Sequence, residues 1–83
     1  MIYAPTISIV ENVRGILPNQ LGSLLAGVYD GYVQIFSVTR NPLPLLTFKS
    51  KIEIGDGKLG GICWSSSNEV VILLDGKVLI YNF

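Results

Sequence analysis

The sequence predicts an all-β fold built from short antiparallel strands. Val, Ile, Thr, Tyr and Phe recur along the whole chain, the residue types that suit a pleated surface. Gly or Pro interrupts them about every dozen residues, as turns between short strands require. Two Asp-Gly dipeptides, Asp30-Gly31 and Asp75-Gly76, each sit between apolar runs, the strongest short-range hairpin signal. No window combines apolar residues at helical spacing with a plausible cap, so no helix is expected.

Thr6–Val10 alternates polar and apolar residues and suits a half-buried strand. Arg14-Gly15 breaks it, and Ile16-Leu17 forms a short strand before Pro18-Asn19. Leu24–Tyr29 is mostly apolar, and Asp30-Gly31 is expected to turn it as a two-residue type I′ hairpin. Tyr32–Val38 returns, with Val33 and Ile35 on one face and Gln34 and Phe36 on the other. The prolines of Thr39–Pro44 hold a loop extended. Leu45–Ile54 follows, with Lys49, Lys51 and Glu53 alternating against Phe48, Ser50 and Ile52, the pattern of a wet edge strand. Gly55–Lys58 and Ser65–Asn68 read as turns flanking a strand from Leu59 to Trp64. Val70–Leu74 is apolar without alternation, as in a strand covered on both faces. Lys77–Phe83 completes the second Asp-Gly hairpin.

The two hairpins are copies of one another. Ser23–Val38 lines up with Asn68–Phe83 at an offset of 75 − 30 = 45 residues, with one residue of slack expected before the aspartate. Val33 meets Val78, Ile35 meets Ile80, and Phe36 meets Tyr81. A period of about 40–45 residues that ends in turn, strand and aromatic is that of a β-propeller blade. The chain therefore reads as about two propeller-like blades, with repeats at 15–54 and 59–83 and residues 6–10 as an edge-completing strand. A small β-sandwich or barrel is the alternative.

Length and composition sharpen the consequence. Eighty-three residues make a single unit, 1–83. Of these, 49% are hydrophobic and 14% charged, greasier than a small free-standing domain needs. Leaving one blade face wet forfeits about 300 Å² of burial, or ~8 kcal/mol at ~25 cal/mol per Å². Whole-domain stability is only about 5–15 kcal/mol. Closed propellers use about 4–8 blades. The sequence thus predicts an incomplete propeller, a fragment or protomer that serves as a protein–protein interaction scaffold, with other proteins or copies of itself as partners; the alternative is a structural module that closes a propeller ring from copies of itself.

Other functions find little support. The net charge is zero, with six basic and six acidic residues, a poor match to nucleic acid. No apolar run approaches the roughly 20 residues of a membrane span, and the start lacks the features of a signal peptide. A cytoplasmic location without membrane insertion is expected. The single cysteine, Cys63, reads as a small buried hydrophobe beside Trp64. With no histidine, neither a cysteine nucleophile nor a metal site is expected. Gly55–Gly60 matches G-x-G-x-x-G, but a strand-like segment follows where a phosphate cradle needs a helix. Asp30, Asp56 and Asp75 each precede a glycine, which turn chemistry explains. No enzyme activity, cofactor or small-molecule substrate is expected. Trp64, Tyr81, Tyr32 and Phe36 are the candidate interaction residues, since aromatics dominate interface hot spots; packing between blades suits Trp64 and Tyr81 equally.

Within the blade pattern, several segments carry a resemblance: Ile35-Phe36-Ser37, Leu45–Ile54, Lys58-Leu59-Gly60, Gly61-Ile62-Cys63-Trp64-Ser65, Glu69, Val70–Leu74, Asp75-Gly76 and Val78–Tyr81. Together they resemble WD40-like blades. They are most similar to the N-terminal propeller of the vacuolar protein-sorting subunit shared by the HOPS and CORVET tethering complexes. Tyr81-Asn82 stands where WD40 repeats carry Trp-Asp. The resemblance implies a non-catalytic scaffold in vesicle tethering and protein transport, peripheral on endosomal or vacuolar membranes through its partners.

Overall fold

Strands form where the sequence alternates or runs apolar, and every pairing is antiparallel. The computed structural model describes residues 12–40, 42 and 44–83. The strand expected at 6–10 lies outside the described residues. Strands β1 (Gly15–Pro18), β2 (Leu24–Tyr29), β3 (Tyr32–Thr39) and β4 (Leu45–Glu53) pair in sequence order as sheet A. Strands β5 (Leu59–Ser66), β6 (Glu69–Leu74) and β7 (Lys77–Asn82) form sheet B. The fold is all-β, and the described residues contain no helix.

The two sheets share one core. Leu24, Ala26, Val33, Ile35 and Ile52 of sheet A meet Trp64, Val70 and Ile72 of sheet B. Val33, Ile35, Val70 and Ile72 are fully enclosed, and burying each contributes about 1.5–3 kcal/mol. Two polar clasps fix how the sheets meet. The Trp64 indole N–H donates to the Leu17 carbonyl at 2.8 Å. Asn19, buried just after β1, accepts through Oδ1 from the Ser23 and Leu24 amides. Its Nδ2 donates to Ser23 Oγ and across to the carbonyl of Ser67, in the turn between β5 and β6. A buried amide in this position is tolerated because its donors and acceptor are all used.

Both Asp-Gly hairpins have two-residue turns, with Tyr29 opposite Tyr32 and Leu74 opposite Lys77. The offset of 45 therefore runs through the entire hairpin, and the expected slack before the aspartate is not there. It lies upstream, where Ile16 opposite Gly27 corresponds to Ile62 opposite Ile72, an offset of 62 − 16 = 46. The turns themselves differ. Asp75 and Gly76 both have positive φ, 52° and 75°, as a type I′ turn requires. In the first hairpin only Gly31 does, at 83°, so the expected type I′ turn does not form there. Contacts outside the turn account for this: the Gly31 carbonyl accepts from both the Ile54 and Gly55 amides, and the Asp30 carboxylate pairs with Arg14.

Two strands depart from the expected patterning. In β4 the pairing steps from Ile35–Ser50 to Phe36–Phe48, which leaves Lys49 as an extra residue. Phe48 consequently lies on the opposite face from Ser50 and Ile52, not on the same one. The charged residues of β4 do line an edge of sheet A. In β6 only Val70 and Ile72 are buried by the chain; Val71 is half-buried and Leu73 exposed. Among the described residues sheet B has a neighbour on one side alone, so these supply half of the double cover expected for Val70–Leu74.

The repeat and the core together show how the sheets stack. The inner face of sheet A carries Ala26, Val28, Val33 and Ile35. Their counterparts 45 residues on, Val71, Leu73, Val78 and Ile80, lie on the outer face of sheet B. Conversely, Val70, Ile72 and Tyr81 face the core, whereas their counterparts Leu25, Gly27 and Phe36 face outward from sheet A. Equivalent faces do not meet. The sheets stack in the same sense, back of one on front of the next.

Asp75→Ala is expected to cost about 1–2 kcal/mol in urea unfolding, because alanine resists positive φ and the bond from the Lys58 amide to Asp75 Oδ1 is lost. Asp30→Ala, at negative φ with an exposed ion pair, is expected to cost less; equal losses would contradict the difference between the turns. Asn19→Asp removes the donor to Ser67 and sets a carboxylate against that carbonyl. Its folded-state pKa is then raised, so the variant is destabilised at pH 7 and regains relative stability as pH falls through that raised value, fully so below about 4, where a protonated acid can donate. Urea midpoints of variant and parent at pH 7 and pH 3.5 measure this.

Candidate functional site

The open sheet faces are where this chain can meet something else. On the outer face of sheet A, Gly27 leaves a gap that Tyr29 fills. A Cβ on Gly27 would sit 3.1 Å from the Tyr29 ring and 3.4 Å from Phe36. The Tyr29 ring stacks on Tyr32 at 4.8 Å between centroids, and Lys51 Nζ stands 4.4 Å from the Tyr32 centroid. Phe36 meets Phe48 edge-on at 6.5 Å. Tyr29 and Phe36 are thereby buried, while Phe48 remains 56% exposed.

Beside this aromatic group lies a cleft of about 240 Å³, lined by Ile16, Pro18, Leu25, Val38 and Leu46, with Gly22 and Arg40 at its polar side. Gly22 has φ of 69°, and a Cβ there would come within 2.9 Å of the Arg40 guanidinium, so glycine lets the arginine lie against the backbone. The cleft has a structural cause. Pro18 pairs with Leu25 as Trp64 pairs with Val70, and Val38 corresponds to Phe83. In sheet B, Trp64 and Phe83 pack edge-on at 6.1 Å at this place. Sheet A has smaller residues there and is left hollow.

The outer face of sheet B is flatter. Leu73 pairs with Val78 and Val71 with Ile80; Gly61 and Cys63 stand opposite Leu73 and Val71 on the other side. Val78 and Ile80 are 62% and 58% exposed. Cys63 is exposed, which corrects its expected burial: Ile62 and Trp64 turn inward along β5, so the residue between them turns out.

Of the four candidate interaction residues, Tyr32 and Phe36 lie on the outer face of sheet A, and Trp64 and Tyr81 on the inner side of sheet B. Phe48, Val78, Ile80 and Arg40 also belong to the open faces, although the sequence reading did not select them. The signal for Val78 and Ile80 was their alignment with Val33 and Ile35. That alignment pairs them with two fully buried residues and so does not mark them as exposed.

The Gly55–Gly60 loop is engaged within the chain. Gly55 N donates to Gly31 O, Gly57 N to Ile54 O, and Lys58 N to the Asp75 carboxylate at 2.8 Å. A Cβ on Gly57 would lie 2.7 Å from Leu74 Cδ1 and 3.1 Å from the Ile54 carbonyl oxygen, so close packing explains this glycine. Strand β5 follows the loop. Asp30 is held below the usual carboxylate range by its hydrogen bond from Arg14, whose own pKa is raised. Among the described residues no group of three or more His, Cys, Asp or Glu could hold a metal ion. A scan against protein-family models, a search of curated proteins and a search of solved structures each give no match to this chain.

The Tyr29 hydroxyl is buried and has no hydrogen-bond partner among the described residues. Burial first, and neighbouring Tyr32 second, push its pKa up. The folded state therefore holds this proton more tightly than the unfolded chain. The associated stability is complete below the ordinary tyrosine range near 10 and is lost as pH rises through the folded value. Tyr29→Phe is expected to be stabilising by about 1 kcal/mol at pH 8, since an unsatisfied hydroxyl is removed. It should also lose less stability than the parent between pH 9 and 11. Parallel urea titrations test both, and a large loss at pH 8 would show that the hydroxyl is bonded.

Proposed function

We propose that this chain is a two-blade portion of a β-propeller that serves as a protein–protein interaction scaffold, its open sheet faces being completed by other protein. One observation carries the reading: sheets related by a 45-residue repeat stack back to front, and so, among the described residues, leave one apolar face open at each end. A sandwich made from two copies of one hairpin would bring equivalent faces together, which is not the arrangement here. Same-sense stacking can continue, and propeller blades continue in this way until they close. The exposed side chains fit such continuation, since Val78, Ile80 and Phe48 stand where a further sheet would cover them.

The non-catalytic scaffold reading agrees with how the titratable groups are used. Asp30 pairs with Arg14 and Asp75 caps the Gly57-Lys58 turn. In the cell, the resemblance to the tethering-complex propeller suggests a part in endosomal or vacuolar vesicle tethering, in the cytoplasm and held at membranes through partners.

Genetic fusion of copies tests the propeller reading. If the sheets are blades, two, three and four copies joined in tandem should gain melting temperature with each addition, because every junction buries two open faces. The gain should stop when the ring closes, within the usual 4–8 blades. Tandem chains that melt at the temperature of the single copy would refute it.

A further inference from the structure

We propose that the outer face of sheet B binds the outer face of sheet A of a second copy of this chain, giving head-to-tail self-assembly. The inference rests on the propeller reading and adds the occupant. The contact between the sheets inside one chain joins the Val33–Ile35 face of sheet A to the Ile72–Tyr81 face of sheet B. The open face of sheet B, with Val78 and Ile80, is the repeat counterpart of the first of these. The open face of sheet A, with Phe36, is the counterpart of the second. Each copy therefore carries both halves of a contact that the same sequence pattern already makes internally.

Such a contact is heterologous, and heterologous contacts close into rings or run on as filaments. An open blade face covers about 300 Å². Each junction sets one such face against another, about 600 Å² in total and below a standard specific interface, so closure of a ring, in which every chain makes two junctions, is what holds the copies together. The zero net charge sets no long-range repulsion against association. Inside the chain, Leu17 lies under the Trp64 indole. Their counterparts between copies are Cys63 and Pro18, so the thiol on sheet B is placed over the cleft on sheet A.

Complementation between two face variants tests the assembly. Phe48→Lys spoils the open face of sheet A, and Ile80→Lys that of sheet B; both positions are exposed, and circular dichroism checks folding. Light-scattering mass should show the parent as a closed oligomer or a longer series at tens of micromolar. Each variant alone should be a monomer, and their equimolar mixture, at higher concentration since one junction must hold without a ring, a two-chain species joined through the two intact faces. A monomeric parent, a variant that still dimerises alone, or a mixture that stays monomeric would each overturn the proposal.

A second measurement does not depend on those variants. In Pro18→Cys, a short bismaleimide should join the introduced thiol of one copy to Cys63 of the next and give a ladder of chains. The ladder should vanish when Cys63→Ser is added, and a folded Pro18→Cys protein that gives no ladder also overturns the proposal. Should free copies stay apart while tandem fusions gain stability, the propeller reading stands and self-assembly falls. Should tandem fusions gain nothing, the propeller reading itself falls.

Discussion

The contact between the two sheets is the constraint on which this structure depends. Neither sheet encloses a core alone: sheet B has three strands, and among the described residues its Val70 and Ile72 are covered by sheet A. Apolar burial supplies the drive but not the direction, because burial is indifferent to orientation. Orientation comes from the clasps at one corner. The Trp64 indole reaches the Leu17 carbonyl, Asn19 reaches the Ser67 carbonyl, and Gln20 Nε2 donates to the Trp64 carbonyl. Three bonds between the same two segments leave one way for the sheets to lie.

Charge has a smaller part. Arg14–Asp30 and Lys51–Glu53 are exposed pairs, and such pairs do little for stability in water. Their placement is more telling than their strength. Arg14 holds the first hairpin turn from outside, and Lys51 covers Tyr32 at the rim of the aromatic group, where its stem adds apolar cover. The polar groups of this chain chiefly decide where strands turn and how faces align.

Much of the fold was legible in the sequence, because strand signals are local. Alternation, β-branched residues and the Asp-Gly pairs marked all seven described strands to within two residues at each end. The repeat marked which hairpins correspond. What could not be read was which face of each copy turns inward. Val33 and Val78 are identical residues at identical places in the repeat, yet one is fully enclosed and the other 62% exposed. That difference is set by neighbours in space. The negative φ of Asp30 likewise goes with contacts made far along the chain, to Arg14 and from Ile54 and Gly55 to Gly31. Asn19 was legible as a turn residue, but its role as a clasp depends on Ser67, 48 positions away.

The extra residue at Lys49 has a consequence for how β4 is used. A regular strand assigns its odd and even positions to fixed sides, so Leu46, Phe48 and Ile52 would all share one. The inserted lysine changes that parity halfway along. Ile52 is thereby free to seal the interior while Phe48 and Leu46 serve the exterior. A single strand contributes to two separate surfaces, and hydrophobic substitutions in its two halves answer to different selective demands.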